Sequence, residues 1–350
     1  MTNPAIPHTM RAAVLTEPGL VTVEDRQVPV PNADEVLVAV LSVGVCGSDT
    51  HYYREGRIGP HVVEEPLILG HEASGTIAAV GAGVPPDRVG ERVAIEPQRP
   101  CRVCRQCIEG RYNLCQNMQF FGTPPVDGAF CEYVTVPSPF AHPVPDSLSD
   151  EDAALLEPLS VAISACRKAH IGPGASVLVA GAGPVGLLTT QTARCFGASS
   201  VTVSDPVGGR REVAQRLGAT AVVDPLAAKP DQMQVDAFVD CSGSSSAIQS
   251  GIRAVQPAGT VVLVGMGTDE TALPIAVIQN RELTLTGVFR YAHTWPLAIE
   301  LVASGRVNLA PLVTGYFNLD EAAEALDADR TAGSLKAIVR PQEQRPARTT

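Results

Sequence analysis

Residues 177–186 read VLVAGAGPVG. An apolar run rich in valine ends in Gly181, Gly183 and Gly186, and a helical stretch follows. In this G-x-G-x-x-G arrangement the first glycine permits a tight turn and the second lets the backbone approach a pyrophosphate. The third lets the helix lie close on the strand. The helix opens at Pro184 and Val185, so its first N–H groups and the positive end of its dipole face an incoming phosphate. Glycine-rich turns are common, so the surroundings decide. The next strand, VTVSD, ends in Asp205, nineteen positions after Gly186 (205 − 186 = 19). A carboxylate there can accept hydrogen bonds from an adenosine ribose and would repel a 2′-phosphate, which favours NAD over NADP. The competing reading is that Asp205 caps the segment beginning at Pro206. Arg210 and Arg211 could also meet a phosphate, so the NAD preference is an expectation.

The pattern continues outward from this turn. Between residues 160 and 290, apolar strand-like runs (SVLVAG, SVTVSD, AVV, DAFVDC, GTVVLVG, LTLTGVF) alternate with helical stretches. Continuous Val/Leu/Ala runs separated by helices predict a parallel sheet covered on both faces. The fold class expected is therefore α/β, a doubly wound Rossmann sheet. Residues 11–157 have another texture, with short alternating runs such as Val36–Val40 broken by many Gly and Pro. They predict a mainly β domain. Further helices are expected near Trp295–Ala303 and Asp320–Asp329. The expected division is 1–159, completed by 293–350, around a nucleotide-binding domain at 160–292.

Bulk properties narrow the function. The 350 residues are 45% hydrophobic and 18% charged, an ordinary globular balance, and the net charge is −11. An acidic chain with 4% aromatic residues is a poor candidate for binding nucleic acid. The start, MTNPAIPHTMRAAVL, lacks a basic segment followed by a long apolar run, and no apolar stretch is long enough to cross a bilayer. A cytoplasmic location is expected, with no membrane partner. The polar end, PQEQRPARTT, is expected to fray.

The nine cysteines then read as metal ligands or core thiols rather than disulfides. Cys101, Cys104, Cys107 and Cys115 follow C-x2-C-x2-C-x7-C. Four thiolates this close, in a segment of low apolar content, fit a closed tetrahedral zinc site that holds a loop together. A disulfide pair and an iron–sulfur cluster are the alternatives; the cytoplasm disfavours the first and the spacing the second. Cys46, His71, Glu72 and Glu157 are scattered. Thiolate, imidazole and carboxylate together would suit a catalytic zinc with one open position, although spacing alone does not connect them. Cys131, Cys166, Cys195 and Cys241 have no partners at metal spacing and read as core or cleft thiols.

The run from Gly70 through His71, Glu72, Gly75 and Gly81 to Val84 is G-H-E-x-x-G-x5-G-x-x-V. It resembles the zinc signature of the medium-chain dehydrogenase/reductase family. YYREGRIG, RVAIEP, FFGTPPVDGAF, EPLSVAISACR and FRYAHTWPLAI narrow the resemblance to the sorbitol/xylitol (polyol) dehydrogenase branch. It spans about Met10 to Val339. It implies a GroES-like catalytic domain beside the Rossmann domain, with zinc and NAD as cofactors and a small polyol as substrate. It implies that Cys46 and His71 ligate the catalytic zinc, with Glu72 and Glu157 competing for the remaining protein position. Ser48 and His51 resemble the family's proton relay; the bland alternatives are a turn hydroxyl and a surface ring. Tyr52, Phe120, Thr123, Glu157, Arg290 and Tyr291 resemble its substrate contacts, though Arg290 could equally serve as a salt-bridge partner. Cys241, Val264, Gly265, Val288, Phe289 and Arg290 are further cofactor contacts expected on the same ground, and relatives are commonly homotetramers. Animal sorbitol dehydrogenases lack the full four-cysteine set, which bears on which polyol is used and not on the chemistry.

Overall fold

The computed structural model describes residues 6–228 and 230–343. The first few residues and most of the polar end, about which the sequence raised expectations, lie outside them. The chain divides into two compact units, Met1–Glu157 with Leu312–Thr350, and Pro158–Pro311. The first crossing falls within the helix Leu156–Lys168. The second comes later than the residue 293 expected from sequence. Residues 293–311 stay with the nucleotide unit because their backbone is held there. Arg167 donates to the His293 carbonyl (3.0 Å), and the Gln191 side chain bonds Asn308 twice, at 3.0 and 2.8 Å. The helix Trp295–Ala303 stands where the sequence placed it, and Ala322–Asp327 forms the helical core of the last expected segment.

In the first unit a seven-stranded sheet runs in the order Ala141–Pro143, Arg92–Ile95, Glu72–Val80, Glu35–Gly44, Lys336–Val339, Val313–Phe317, and Tyr133–Pro137 pairs with Glu35–Gly44. All its pairings are antiparallel except that of the two C-terminal strands. The central strand carries Val36, Leu37, Val38 and Val40 at 2% exposure or less, so both of its faces are covered. Each such side chain contributes about 1.5–3 kcal/mol by leaving water. The core around them draws on residues from Met10 to Val339, which is why the C-terminal strand is integral to this unit.

The second unit is a six-stranded parallel sheet in the order Ala221–Val223, Ser200–Ser204, Ser176–Ala180, Val235–Asp240, Val255–Leu263, Thr284–Gly287. Counted within the unit this is 3-2-1-4-5-6, the dinucleotide-binding order. The direction of winding reverses between Ser176–Ala180 and Val235–Asp240, and ligands of open α/β sheets bind at that switch. Gly181 and Cys241 follow these two strands directly. Among the described residues no helix is long and apolar enough to cross a membrane.

Candidate metal centre and cofactor turn

Cys46 is the N-cap of the helix Gly47–Glu55, in extended backbone at φ −98° and ψ 159°. His71 and Glu72 follow Gly70, whose φ of +90° and contact with the Phe130 ring leave no room for a side chain. One buried carboxylate joins the two segments. Asp49 accepts from the Cys46 N–H (2.9 Å) and the Gly70 N–H (3.0 Å), and its Oδ1 stands 3.5 Å from His71 Nδ1. Burial works against the charge of Asp49, but His71 and these N–H groups outweigh it and hold the carboxyl low. Burial likewise opposes a proton on His71. The charges of Asp49 and Cys46 outweigh it and raise His71 well above the usual imidazole range. A carboxylate behind a ligating histidine fixes the ring's tautomer and orientation. With Nδ1 toward Asp49, Nε2 is the nitrogen left to bind a metal.

A ligand atom from each of Cys46, His71 and Glu72 lies within 4.8 Å of the other two. Glu72 makes a buried ion pair, Oε1 accepting from Lys336 Nζ at 2.7 Å. Lys336 also donates to the Val45 carbonyl at 2.8 Å. Burial acts to lower its pKa, but Glu72, Cys46 and Glu157 raise it further. The other Glu72 oxygen, Oε2, is buried and has no hydrogen-bond partner. Such an orphaned carboxylate oxygen is costly unless a cation meets it. Thiolate, imidazole and carboxylate form the donor set that zinc takes in catalytic sites, so the residues present fit the ion. Of the two glutamates between which the sequence could not choose, the compact group contains Glu72; Glu157, buried at 4% exposure, lies outside it.

The four cysteines Cys101, Cys104, Cys107 and Cys115 also converge. Their sulfurs stand 3.5 Å (Cys104–Cys107), 3.9 Å (Cys104–Cys115) and 4.0 Å (Cys101–Cys107) apart. A tetrahedral ion with Zn–S bonds of about 2.3 Å separates its sulfurs by about 3.8 Å. Backbone N–H groups of Cys104 and Cys101 point at the sulfurs of Cys101 and Cys115, both at 3.3 Å, and the N–H groups of Val103 and Cys104 lower the Cys101 thiol. The bonds to Cys101 favour the thiolate form that a metal requires, whereas burial pushes the Cys107 thiol up to about 12.

The remaining expected residues of this unit are placed as follows. Tyr52 and Phe120 are buried, and the Phe120 ring lies 5.4 Å from that of His71, tilted by 53°. Thr123 is half-buried in the turn that bridges to Val126. Ser48 sits on the first turn after Cys46 and is half-buried. His51 lies one turn on, 42% exposed, with Nδ1 3.3 Å from Glu55 Oε1. Arg290 and Tyr291 belong to the other unit. Arg290 has a positive φ of 56° and stacks on Phe289 at 4.6 Å, while Tyr291 is fully buried against Trp295.

In the nucleotide unit the glycine roles are visible. Gly181 has φ +94°, and a Cβ there would come within 3.1 Å of the Cys241 and Ser242 backbone. A Cβ on Gly186 would lie 1.9 Å from the Gly181 carbonyl oxygen, so this glycine lets the helix Pro184–Cys195 meet the turn. Gly183 has open space around it. Asp205 accepts from the Ala182 N–H (2.7 Å) and the Val207 N–H (2.8 Å), so one carboxylate ties the glycine turn to the segment that follows its own strand. Arg211 is tied to Asp224 and to the Asp205 carbonyl, whereas Arg210 is half-buried beside it. Val264 and Gly265 both donate to the Asp240 carbonyl, and Val288 donates to Leu263. Burial pushes the Cys241 thiol up to about 12, marking it as an inert neutral group.

Two residues of the metal centre were absent from the sequence reading. Asp49 had a signal, since it stands at the third position of a helix after Cys46, where a carboxylate reaches back to the cap. Lys336 had a weaker one, a lone lysine opening an apolar strand.

Residues 32–146 match the alcohol dehydrogenase GroES-like domain, and residues 184–304 match the zinc-binding dehydrogenase domain. The sorbitol dehydrogenase of Bacillus subtilis strain 168 is 42% identical over 331 residues, covering 92% of this chain and 94% of its own. A protein described as a probable D-xylulose reductase A, from Aspergillus clavatus, is 42% identical over 90% of this chain and 92% of its own. Among solved structures, one from Sinorhizobium meliloti 1021, described as a zinc-binding dehydrogenase bound to NADP, superposes with a TM-score of 0.89 at 32% identity, covering 95% of this chain and 99% of that one. Similarity of this depth over nearly the whole chain, with the metal-ligand group assembled, places the protein in the medium-chain dehydrogenase/reductase family, in its zinc-containing polyol dehydrogenase branch.

Proposed function

We propose that the protein oxidises a secondary hydroxyl of a small polyol, such as xylitol or sorbitol, to the ketose, with hydride passing to NAD. The observation that carries this reading is the Cys46, His71 and Glu72 group, whose buried Glu72 Oε2 awaits a cation, in a chain with polyol-acting relatives. Zinc bound there supplies a Lewis acid that polarises the substrate hydroxyl and eases loss of its proton. A carboxylate in place of a second thiolate keeps such an ion more electrophilic. Asp49 holds Cys46 and His71 in register, and the Phe120 ring shields His71 from water. Ser48 and His51 carry the proton outward. The exposure of the His51 side chain supports its place at the solvent end. Tyr52, Thr123 and Glu157 are the polar groups of this unit that would receive the remaining hydroxyls, because a polyol needs polar contacts beyond the metal.

One neighbour was solved with NADP, so cofactor choice rests on this chain's own residues. Asp205 is fixed at the end of its strand by two N–H groups, and Arg211 is committed to Asp224. Both features support NAD. A cytoplasmic, homotetrameric enzyme completes the proposal. The edge strand Thr284–Gly287, with Leu285 exposed, offers a surface for self-association. The test is NADH formation with a panel of four- to six-carbon polyols beside ethanol and threonine. Turnover of xylitol, sorbitol or galactitol is expected; turnover of ethanol or threonine alone would move the protein to another branch.

A further inference from the structure

Fully buried lysines are rare. Lys336, 4% exposed, is bonded to the carboxylate that also faces the metal group. Its strand is fixed by the pairings Ile338↔Gly44 and Val339↔Val43 and by the Val45 N–H bonding the Ala337 carbonyl at 2.9 Å. Nζ is thereby held between the Val45 carbonyl and Glu72 Oε1. The other side of the carboxylate is set by Gly44, the cross-strand partner of Glu72. A Cβ on Gly44 would lie 2.1 Å from Glu72 Oε2, so only glycine leaves that oxygen its place. The carboxylate is thus oriented from both sides, one oxygen bonded to an ammonium and the other bare.

We propose that Lys336 is a positioning residue for the catalytic zinc: by holding Oε1 it limits Glu72 to donation through Oε2 and keeps a coordination position for substrate. The proposal rests on the zinc dehydrogenase reading above. Carboxylates ligate through one oxygen or two. Three protein ligands giving one atom each leave one position of a tetrahedral ion open, and a second Glu72 oxygen would fill it.

Cobalt(II) exchanged into this site, with zinc retained at the four-cysteine site, reports coordination number through the intensity of its visible bands. The wild-type protein is expected to give the intense bands of a four-coordinate ion. Lys336→Met should lower their intensity severalfold and reduce kcat per bound metal by about 10- to 100-fold, while Lys336→Arg keeps most of both. A merely structural lysine would lower Tm in Lys336→Met and leave the cobalt spectrum untouched, which overturns the proposal. If Lys336→Met does not fold, the wild-type spectrum decides, since weak five-coordinate bands there overturn it as well. Absence of cobalt from the Cys46 site would instead overturn the zinc dehydrogenase reading.

Discussion

Alanine at Gly183 and at Gly186 separates cofactor contact from packing within one turn. A Cβ at Gly186 would lie 1.9 Å from the Gly181 carbonyl oxygen and 2.9 Å from its carbon. A relaxed carbon–oxygen contact needs roughly 3.3 Å, so the helix start and the turn must part by roughly 1.4 Å. Overpacking of this kind costs about 1–3 kcal/mol. In a unit of this size that lowers Tm by about 2–4 °C for each kcal/mol. Gly183 differs, since nothing lies within 4 Å of its Cβ position and its φ is −75°. Alanine there fits the native backbone, and the gain of about 0.4–1 kcal/mol through the unfolded chain offsets the loss of a glycine that is favoured at this helix N-cap. On the proposed cofactor placement its methyl nonetheless stands where the pyrophosphate would approach. Calorimetry and NADH fluorescence titration read the two effects separately. Gly183→Ala should keep Tm while weakening NADH at least about tenfold, a loss of about 1.4 kcal/mol. Gly186→Ala should lose both. Wild-type NADH affinity in Gly183→Ala would refute the placement of the pyrophosphate, and an unchanged Tm in Gly186→Ala would refute the close approach.

Three further outcomes are expected. Replacing Asp205 with serine removes a fixed negative charge, so the ratio of kcat/KM for NAD to that for NADP should fall at least about tenfold; an unchanged ratio would show that cofactor choice lies elsewhere. Cys107→Ser opens the closed four-sulfur set. Zinc per chain should fall by one equivalent with a loss of Tm, and retention of both equivalents would contradict a zinc site there. Glu151 is paired with Arg340 at 2.7 Å. Burial opposes its charge, but hydrogen bonds, including those of Arg340, win and lower its pKa. A carboxyl lowered on folding stabilises above its unfolded pKa, and that contribution is lost as pH falls through the folded value. Glu151→Gln should therefore cost about 1 kcal/mol at neutral pH, with the two unfolding curves converging in acid; a gap that persists in acid would assign the effect to packing.

What could be read from sequence followed the range of the interactions. The Rossmann sheet was legible because each strand–helix step is local, and the glycine turn because three close positions set its backbone. The four cysteines were legible for the same reason. Cys46, His71 and Glu72 were connected only by family resemblance, since a fold must bring them together. The Glu72–Lys336 pair joins residues 264 positions apart, and no local pattern encodes such a contact. Residues 293–311 were assigned to the catalytic unit because a helix alone does not reveal which core it packs on. The bonds from Arg167 and Gln191 settle that, and they span 126 and 117 positions.

The central claim is that catalysis depends on an ion held by Cys46, His71 and Glu72. The most direct measurement follows zinc content and xylitol-dependent NADH formation together as a chelator strips the protein and zinc is then returned. Loss of activity in proportion to the more labile equivalent, with NADH binding preserved and activity restored by zinc, is the predicted result. Polyol oxidation at an undiminished rate in protein free of metal at this site would contradict it.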